Sequence, residues 1–255
     1  MKKLLGIALI AGLLITGCGS SDTKKEAGKD KLVVLTNSGY PPYEELDKEG
    51  NLYGFDIDVM NQAAEIAGYE IEIKDVDFDA IIPSIKTGKA DIAIAGITPS
   101  KERKKSVDFS DVYYSGEDSQ NYLLYKEASG IKTQDDLAGK TIGCQVGTVQ
   151  FEAATYFQDN VGSKVDAKKD YASIIAEINK GNNDAAIVEK AVAQEFSAKD
   201  AEFKYFKIEG LAALEGNAMA FKQGSSLKEE FNKAIQEMKD NGDMQKLIDK
   251  YFNKK

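Results

Sequence analysis

The sequence predicts an α/β fold built as two similar lobes, and three observations carry that expectation. Short β-branched runs alternate with helix-period stretches along most of the chain, the pattern of parallel strands covered by helices. One unit then occurs twice. Phe78 to Ile94 aligns without a gap on Tyr171 to Ile187, matching the leading aromatic, Ile81, Ile82 and Ile85 with Ile174, Ile175 and Ile178, Gly88 with Gly181, Asp91 with Asp184, and a closing Ala-Ile. Two copies are too few for a solenoid and suit a pair of lobes. Third, about 225 residues follow the N-terminal leader, enough for one large domain or two modest ones.

The leader itself lies outside the fold. Met1-Lys2-Lys3 is basic, and Leu4 to Ile15 is an apolar run too short to span a bilayer as a mature helix. It ends in Thr16-Gly17-Cys18, which resembles a bacterial lipoprotein signal with Cys18 as the lipidated N-terminus of the mature chain. An ordinary secretory signal with an incidental cysteine is the alternative. Residues 19–30 are polar and charged and read as a flexible tether.

Lys31 to Thr36 is a β-branched run expected as the first buried strand. It breaks into Asn37-Ser38-Gly39-Tyr40-Pro41-Pro42-Tyr43, a stiff loop flanked by tyrosines that either wall a small ligand or cover the core edge. Glu49-Gly50-Asn51 is a turn. Asp56 to Ala67 has helical spacing with Gly68 at the C-cap position, Tyr69 to Asp75 alternates as a strand, and Phe78 to Thr87 is a helix. Asp91 to Ala95 is a buried strand, followed by a tight loop and the start of a short helix at Arg103. Ser119 to Tyr125 is expected to cross into the second lobe. Asp135 to Gly139 is a helical turn, Lys140 to Val146 a strand, and FEAATYF from Phe151 a helix. Lys204 to Ile208 is a strand, Asn217 to Phe221 the return crossing, and Ser225 to Lys239 and Asp243 to Phe252 are helices. This gives lobe 1 as residues 31–118 and 217–255, and lobe 2 as 119–216.

Arg103 is the only arginine in a lysine-rich chain. Lysine can supply a surface charge, but only the planar guanidinium grips a carboxylate through two parallel hydrogen bonds. Thr98, Pro99 and Ser100 precede it as turn and cap residues, leaving donors where an anion is favoured, and Gly96 allows close approach to the backbone. The alternative is one arginine on a solvated KERKK helix. In the second copy of the repeat, Glu189 stands at the corresponding strand end, so a carboxylate is expected to face Arg103 across a cleft. That pair suits a zwitterion. Gly147-Thr148 between a strand and a helix is a further anion site or a generic cap.

Composition removes several functions. The chain contains no histidine, which excludes Ser–His and Cys–His nucleophile systems and the usual zinc sites. Only Cys144 remains beyond Cys18, so the mature chain forms no internal disulfide, and its TIGCQV setting reads as core. A net charge of −9 disfavours nucleic acid as a partner.

Taken together, Tyr40-Pro-Pro-Tyr43, Gly54-Phe55-Asp56-Ile57-Asp58, Phe78-Asp79-x-x-Ile82-Pro83, Gly88-x-x-Asp91, Thr98-x-x-x-x-Arg103, Val107-Asp108-Phe109-Ser110-Asp111 and Gly147-Thr148 resemble the extracytoplasmic solute-binding proteins of polar amino acid ABC transporters. The resemblance covers essentially the whole mature chain. It implies a type II periplasmic-binding-protein fold, with mixed sheets flanked by helices and joined by two crossing strands, closing on its ligand. It also implies no cofactor and no catalysis, a monomer at the extracytoplasmic face of the membrane held by its lipid anchor, and a membrane permease as partner.

By the same resemblance, Arg103 grips the ligand α-carboxylate, helped by backbone N–H groups near Thr98 and Thr148. Glu189 takes the α-ammonium with the Thr98 hydroxyl and the Gly96 carbonyl beside Ala95. Tyr40 and Phe78 sandwich the side chain, Asn37 reads its far end, and Gln145 adds a third wall. The family often has Asp where this chain has Glu189, and its basic-ligand members often have Asp where this chain has Asn37. The expectation therefore leans to a polar neutral ligand such as glutamine, with a basic one open because Glu44 can serve. The same fold hosts a dehydratase, which needs a carboxyl acid one helical turn beyond Glu189, where this chain has Val192. A ligand sensor for a membrane receptor, or an adhesin, is the third reading.

Overall fold

The computed structural model describes residues 31–253; the signal, Cys18 and the tether lie outside the described residues. The chain opens with β1 (Lys31–Thr36), the hairpin of β2 (Glu45–Leu46) and β3 (Leu52–Tyr53), α1 (Phe55–Ala67), β4 (Glu70–Asp75), α2 (Phe78–Thr87), β5 (Ile92–Ala93) and β6 (Asp108–Phe109). It then enters a second lobe through β7 (Asn121–Lys126), β8 (Thr141–Gln145), α3 (Val149–Val161), β9 (Lys164–Lys168), α4 (Tyr171–Asn179), β10 (Ala185–Glu189), α5 (Lys190–Lys199) and β11 (Phe203–Lys207). β12 (Ala220–Phe221), α6 (Leu227–Asp240) and α7 (Asp243–Tyr251) return to the first. The two large sheets run β4-β1-β5-β12-β6 and β11-β7-β10-β8-β9. Each is mixed: β1 is parallel to β4 and β5 while β12 is antiparallel, and β8 is parallel to β9 and β10 while β7 is antiparallel. This is the two-lobed α/β architecture that the repeat and the alternation imply.

The repeat has a physical basis in both lobes. Gly88 and Gly181 take left-handed backbone, φ 72° and 77°, to end α2 and to follow α4, a conformation that suits glycine. The aspartate three residues later then pins a neighbouring strand. Asp91 Oδ2 accepts from the Val33 amide and Asp184 Oδ2 from the Thr141 amide, each at 2.8 Å. Ile81, Ile85, Ile174 and Ile178 are buried beneath their sheets.

The crossings differ from the expected segments. β7 lies wholly in the second sheet and β12 wholly in the first, so the chain passes between lobes before Asn121 and before Ala220 as extended segments. Those segments hold each other through the Tyr114–Asn217 bridge, with Asn217 N donating to Tyr114 O at 2.8 Å. A second clasp is reciprocal: Gln120 Nε2 donates to Leu214 O at 3.1 Å and Leu214 N to Gln120 Oε1 at 3.0 Å. The expected helix at Arg103 is only a three-residue 3-10 turn, Arg103–Lys105, with Ser100 Oγ accepting from its first amide at 3.3 Å. So short a turn builds no helix-end anion site. Among the described residues no helix is long and apolar enough to cross a membrane, and Cys144 is buried and free.

Candidate functional site

The loop after β1, the end of β5, the turn after β8 and the end of β10 converge between the sheets. They surround a small hollow of about 20 Å³, lined by eight of the ten residues singled out in the sequence: Asn37, Tyr40, Phe78, Ala95, Gly96, Gln145, Thr148 and Glu189. Arg103 and Thr98 are not among its lining residues; Arg103 lies against its Phe78 wall. Glu44, Gln150 and Tyr171 line it too. Tyr171 heads the second repeat and is legible as the counterpart of Phe78, whereas Gln150 sits in an ordinary helix start that gives no signal.

Arg103 is nearly buried, 9% exposed. Its guanidinium lies over the Phe78 ring, 5.2 Å from the centroid. Nη1 donates to Thr98 O at 2.9 Å and Nη2 to Gly147 O at 3.0 Å, so the fork spans the gap between lobes. It makes no ion pair among the described residues, and burial pulls it down to about 10, opposed weakly by Glu152. The N-terminus of α3 stands beside it. Thr148 caps that helix, its hydroxyl donating to Gln145 O at 2.7 Å and accepting from Phe151 N at 3.1 Å. The Thr148 side chain is therefore fully used, leaving backbone donors at the helix end for an anion.

Glu189 ends β10 and is 1% exposed. Oε2 accepts from the Tyr43 hydroxyl at 2.6 Å, Oε1 from Asn217 Nδ2 at 3.2 Å, and its amide donates to the Tyr40 hydroxyl at 3.0 Å. Burial pushes its carboxyl up to about 8 despite those two donors, and Asp56 adds to the rise. No cation pairs with it among the described residues. Glu189 thus lines the hollow as a buried carboxyl and Arg103 lies over its Phe78 wall as a buried guanidinium, and the two do not pair with each other.

The Gly96 amide donates to Asp56 Oδ2 at 2.6 Å, so it is not free for a ligand; the positive φ of 55° is what this position asks of glycine. Asn37 and Gln145 meet across the far end of the hollow. Asn37 Nδ2 donates to Val76 O at 2.8 Å, and Gln145 Nε2 donates to Asn37 Oδ1 and to Lys169 O, both at 2.7 Å. The expected aromatic sandwich contains a third ring, with Tyr40 and Tyr171 centroids 4.6 Å apart.

The family model for bacterial extracellular solute-binding proteins, family 3, matches residues 32–254. The arginine-binding extracellular protein ArtP of Bacillus subtilis (strain 168) is 40% identical over 256 residues, covering 99% of this chain and 98% of that one. An ancestral arginine-binding protein solved with arginine superposes with a TM-score of 0.81 at 34% identity, over 88% of this chain and 99% of that one. An ancestral arginine-binding protein solved with glutamine gives 0.79 at 34%, over 89% and 99%. With a family model spanning residues 32–254 and relatives matching over nearly the whole chain, the chain belongs to the bacterial extracellular solute-binding proteins, family 3.

Proposed function

We propose that the chain captures a polar L-α-amino acid in the hollow between its lobes and delivers it to the membrane subunits of an ABC transporter, without chemistry. One observation carries the reading. Among the described residues, buried Arg103 has no carboxylate partner, and the buried Glu189 carboxyl, which lines the hollow, has no cation. A buried charge needs a partner, and a zwitterion supplies both: its carboxylate for the guanidinium and the α3 end, its ammonium for Glu189. The lobes, 31–118 with 217–255 and 119–216, close as units about the Tyr114–Asn217 and Gln120–Leu214 clasps, excluding water and strengthening the charge contacts inside. A lipid on Cys18 holds the monomeric protein at the extracytoplasmic face of the cell membrane.

A thermal-shift panel of L-amino acids and small carboxylic acids tests this. Tight binding to the folded state raises the melting temperature by mass action, so one or a few L-amino acids stabilise the protein and non-zwitterionic acids do not. Stabilisation by none of the amino acids, or turnover of a prephenate-like acid, contradicts it.

A further inference from the structure

We propose that Phe252, at the end of α7, is a positioning residue for ligand capture: its ring braces both the crossing between the lobes and the tyrosine that holds Glu189. The inference rests on the reading of the hollow as an amino acid site and adds a residue that lies outside it. The local sequence fixes where the ring goes. Asp243–Tyr251 is helical, and Phe252 follows as its cap, its amide donating to Ile248 O at 2.9 Å. The last turn is tied to α1, because Lys250 Nζ and the Tyr251 hydroxyl both donate to Asp58 Oδ2 at 2.7 Å. With α7 held there, the Phe252 ring stacks on Tyr114, centroids 4.1 Å apart and planes 19° from parallel. It meets Phe55 edge-on at 4.9 Å and Tyr43 edge-on at 5.5 Å, an arrangement that the charge distribution of aromatic rings favours.

Two routes lead from that ring to the end of β10. The first runs through Tyr43, whose hydroxyl donates to Glu189 Oε2 at 2.6 Å. The second runs through Tyr114, which bridges to Asn217 in the returning crossing and whose hydroxyl donates to Asp118 Oδ2 at 3.3 Å. Asp118 Oδ1 in turn pairs with Lys190 Nζ at 3.1 Å. Glu189 and Lys190 are consecutive, the last residue of β10 and the first of α5. Tyr43 and Phe55 are wholly buried, whereas Phe252 is partly buried and forms the outer wall of the cluster. A side chain that only filled its own lobe would touch neither the crossing nor the loop that faces the other lobe. Without the flat ring, Tyr43 and Tyr114 gain room to tilt. The Glu189 carboxyl and the crossing are then less fixed before the ligand arrives, and the ordering left to the binding step lowers affinity.

Calorimetric titration of the purified protein with L-arginine, L-lysine, L-histidine, L-glutamine, L-asparagine, L-glutamate and L-aspartate tests this with two substitutions. Phe252→Leu keeps apolar bulk and loses the ring; Phe252→Tyr keeps the ring. For whichever of these amino acids binds the unaltered protein, the leucine variant binds about fivefold or more weaker and the tyrosine variant within about twofold. In a Tyr43→Phe background the leucine substitution costs at least about twofold less than on the unaltered chain, because the hydroxyl contact that Phe252 positions is already gone. Phe252→Met, also apolar and without a ring, stands in if the leucine variant does not fold. A lowered urea midpoint in the leucine variant with affinity unchanged within about twofold marks Phe252 as a packing residue and overturns the inference. So does a leucine effect that Tyr43→Phe leaves the same, or a tyrosine variant that binds as weakly as the leucine one. Each of these leaves the amino acid reading standing. Binding of none of these amino acids to the unaltered protein overturns that reading and the inference with it.

Discussion

The Tyr43 hydroxyl donates to Glu189 Oε2 at 2.6 Å, joining the Pro-rich loop after the first strand of one lobe to the last residue of the central strand of the other. Asn217, in the returning crossing, donates to the second oxygen of the same carboxyl at 3.2 Å. One buried side chain therefore touches both lobes and the connection between them.

Tyr43→Phe removes that donor and leaves a buried carboxyl oxygen short of a partner. The expected cost is about 1–3 kcal/mol in urea unfolding of the unliganded protein. An unchanged midpoint would show that the contact is not made in solution.

Arg103→Lys is expected to lose nearly as much affinity as Arg103→Ala, about tenfold or more by calorimetry. An ammonium cannot span Thr98 O, Gly147 O and a ligand carboxylate as the guanidinium fork can. Retained binding in the lysine variant would show that the fork is not used.

Gly147 holds φ +78°, and a Cβ built there lies 3.2 Å from Asp79 Cβ on the opposite lobe. Gly147→Ala strains the backbone and props the lobes apart at the point where Arg103 crosses. The expected result is weaker ligand binding, by about fivefold or more, with a smaller scattering-derived closure on adding ligand than the unaltered protein shows.

Stability of the unliganded protein is expected to fall as pH rises. The folded chain holds the Glu189 proton up to about 8, against an ordinary value of 4.5, and the Asp56 proton up to about 6, against 3.8. Between those limits the folded state binds more protons than the unfolded one, so its advantage is full below the ordinary values and shrinks toward about pH 8. Melting temperature followed against pH checks the sign; a steady rise from pH 4.5 to about 8 contradicts it.

The pairs Lys169–Asp77 and Lys199–Glu45 also link the lobes; the first is exposed on both sides, the second half-buried at Glu45. Asp77→Asn is expected to change ligand affinity by less than about threefold. A tenfold loss would make this pair a latch rather than a surface contact.

Much of the fold was legible because its signals are local. The repeat is visible as Gly88 and Asp91 against Gly181 and Asp184, since a left-handed helix exit and a strand-pinning carboxylate need those residue types. β9 was missed because KVDAK is an edge strand with little buried surface, and β6 because two residues carry no period. The cap residues before Arg103 predict a helix, and cap chemistry does not distinguish a full helix from one 3-10 turn. The site was legible in membership but not in pairing. Tyr43 reads equally as a ligand wall or a core cover, and Glu44 as an acid able to serve a basic ligand, with nothing to give their partners. That Glu44 meets Asp56 and the hollow depends on contacts 12 residues and a whole β-hairpin apart, which no spacing rule conveys.

The central claim, that Arg103 and Glu189 hold the two ends of a zwitterion, is tested most directly by calorimetry with the tightest-binding L-amino acid of the panel, its methyl ester and its Nα-acetyl derivative. The account predicts that the free amino acid binds and that each derivative, lacking one of the two charges, loses about a hundredfold or more. An ester or an acetyl derivative that binds as well as the parent would contradict it.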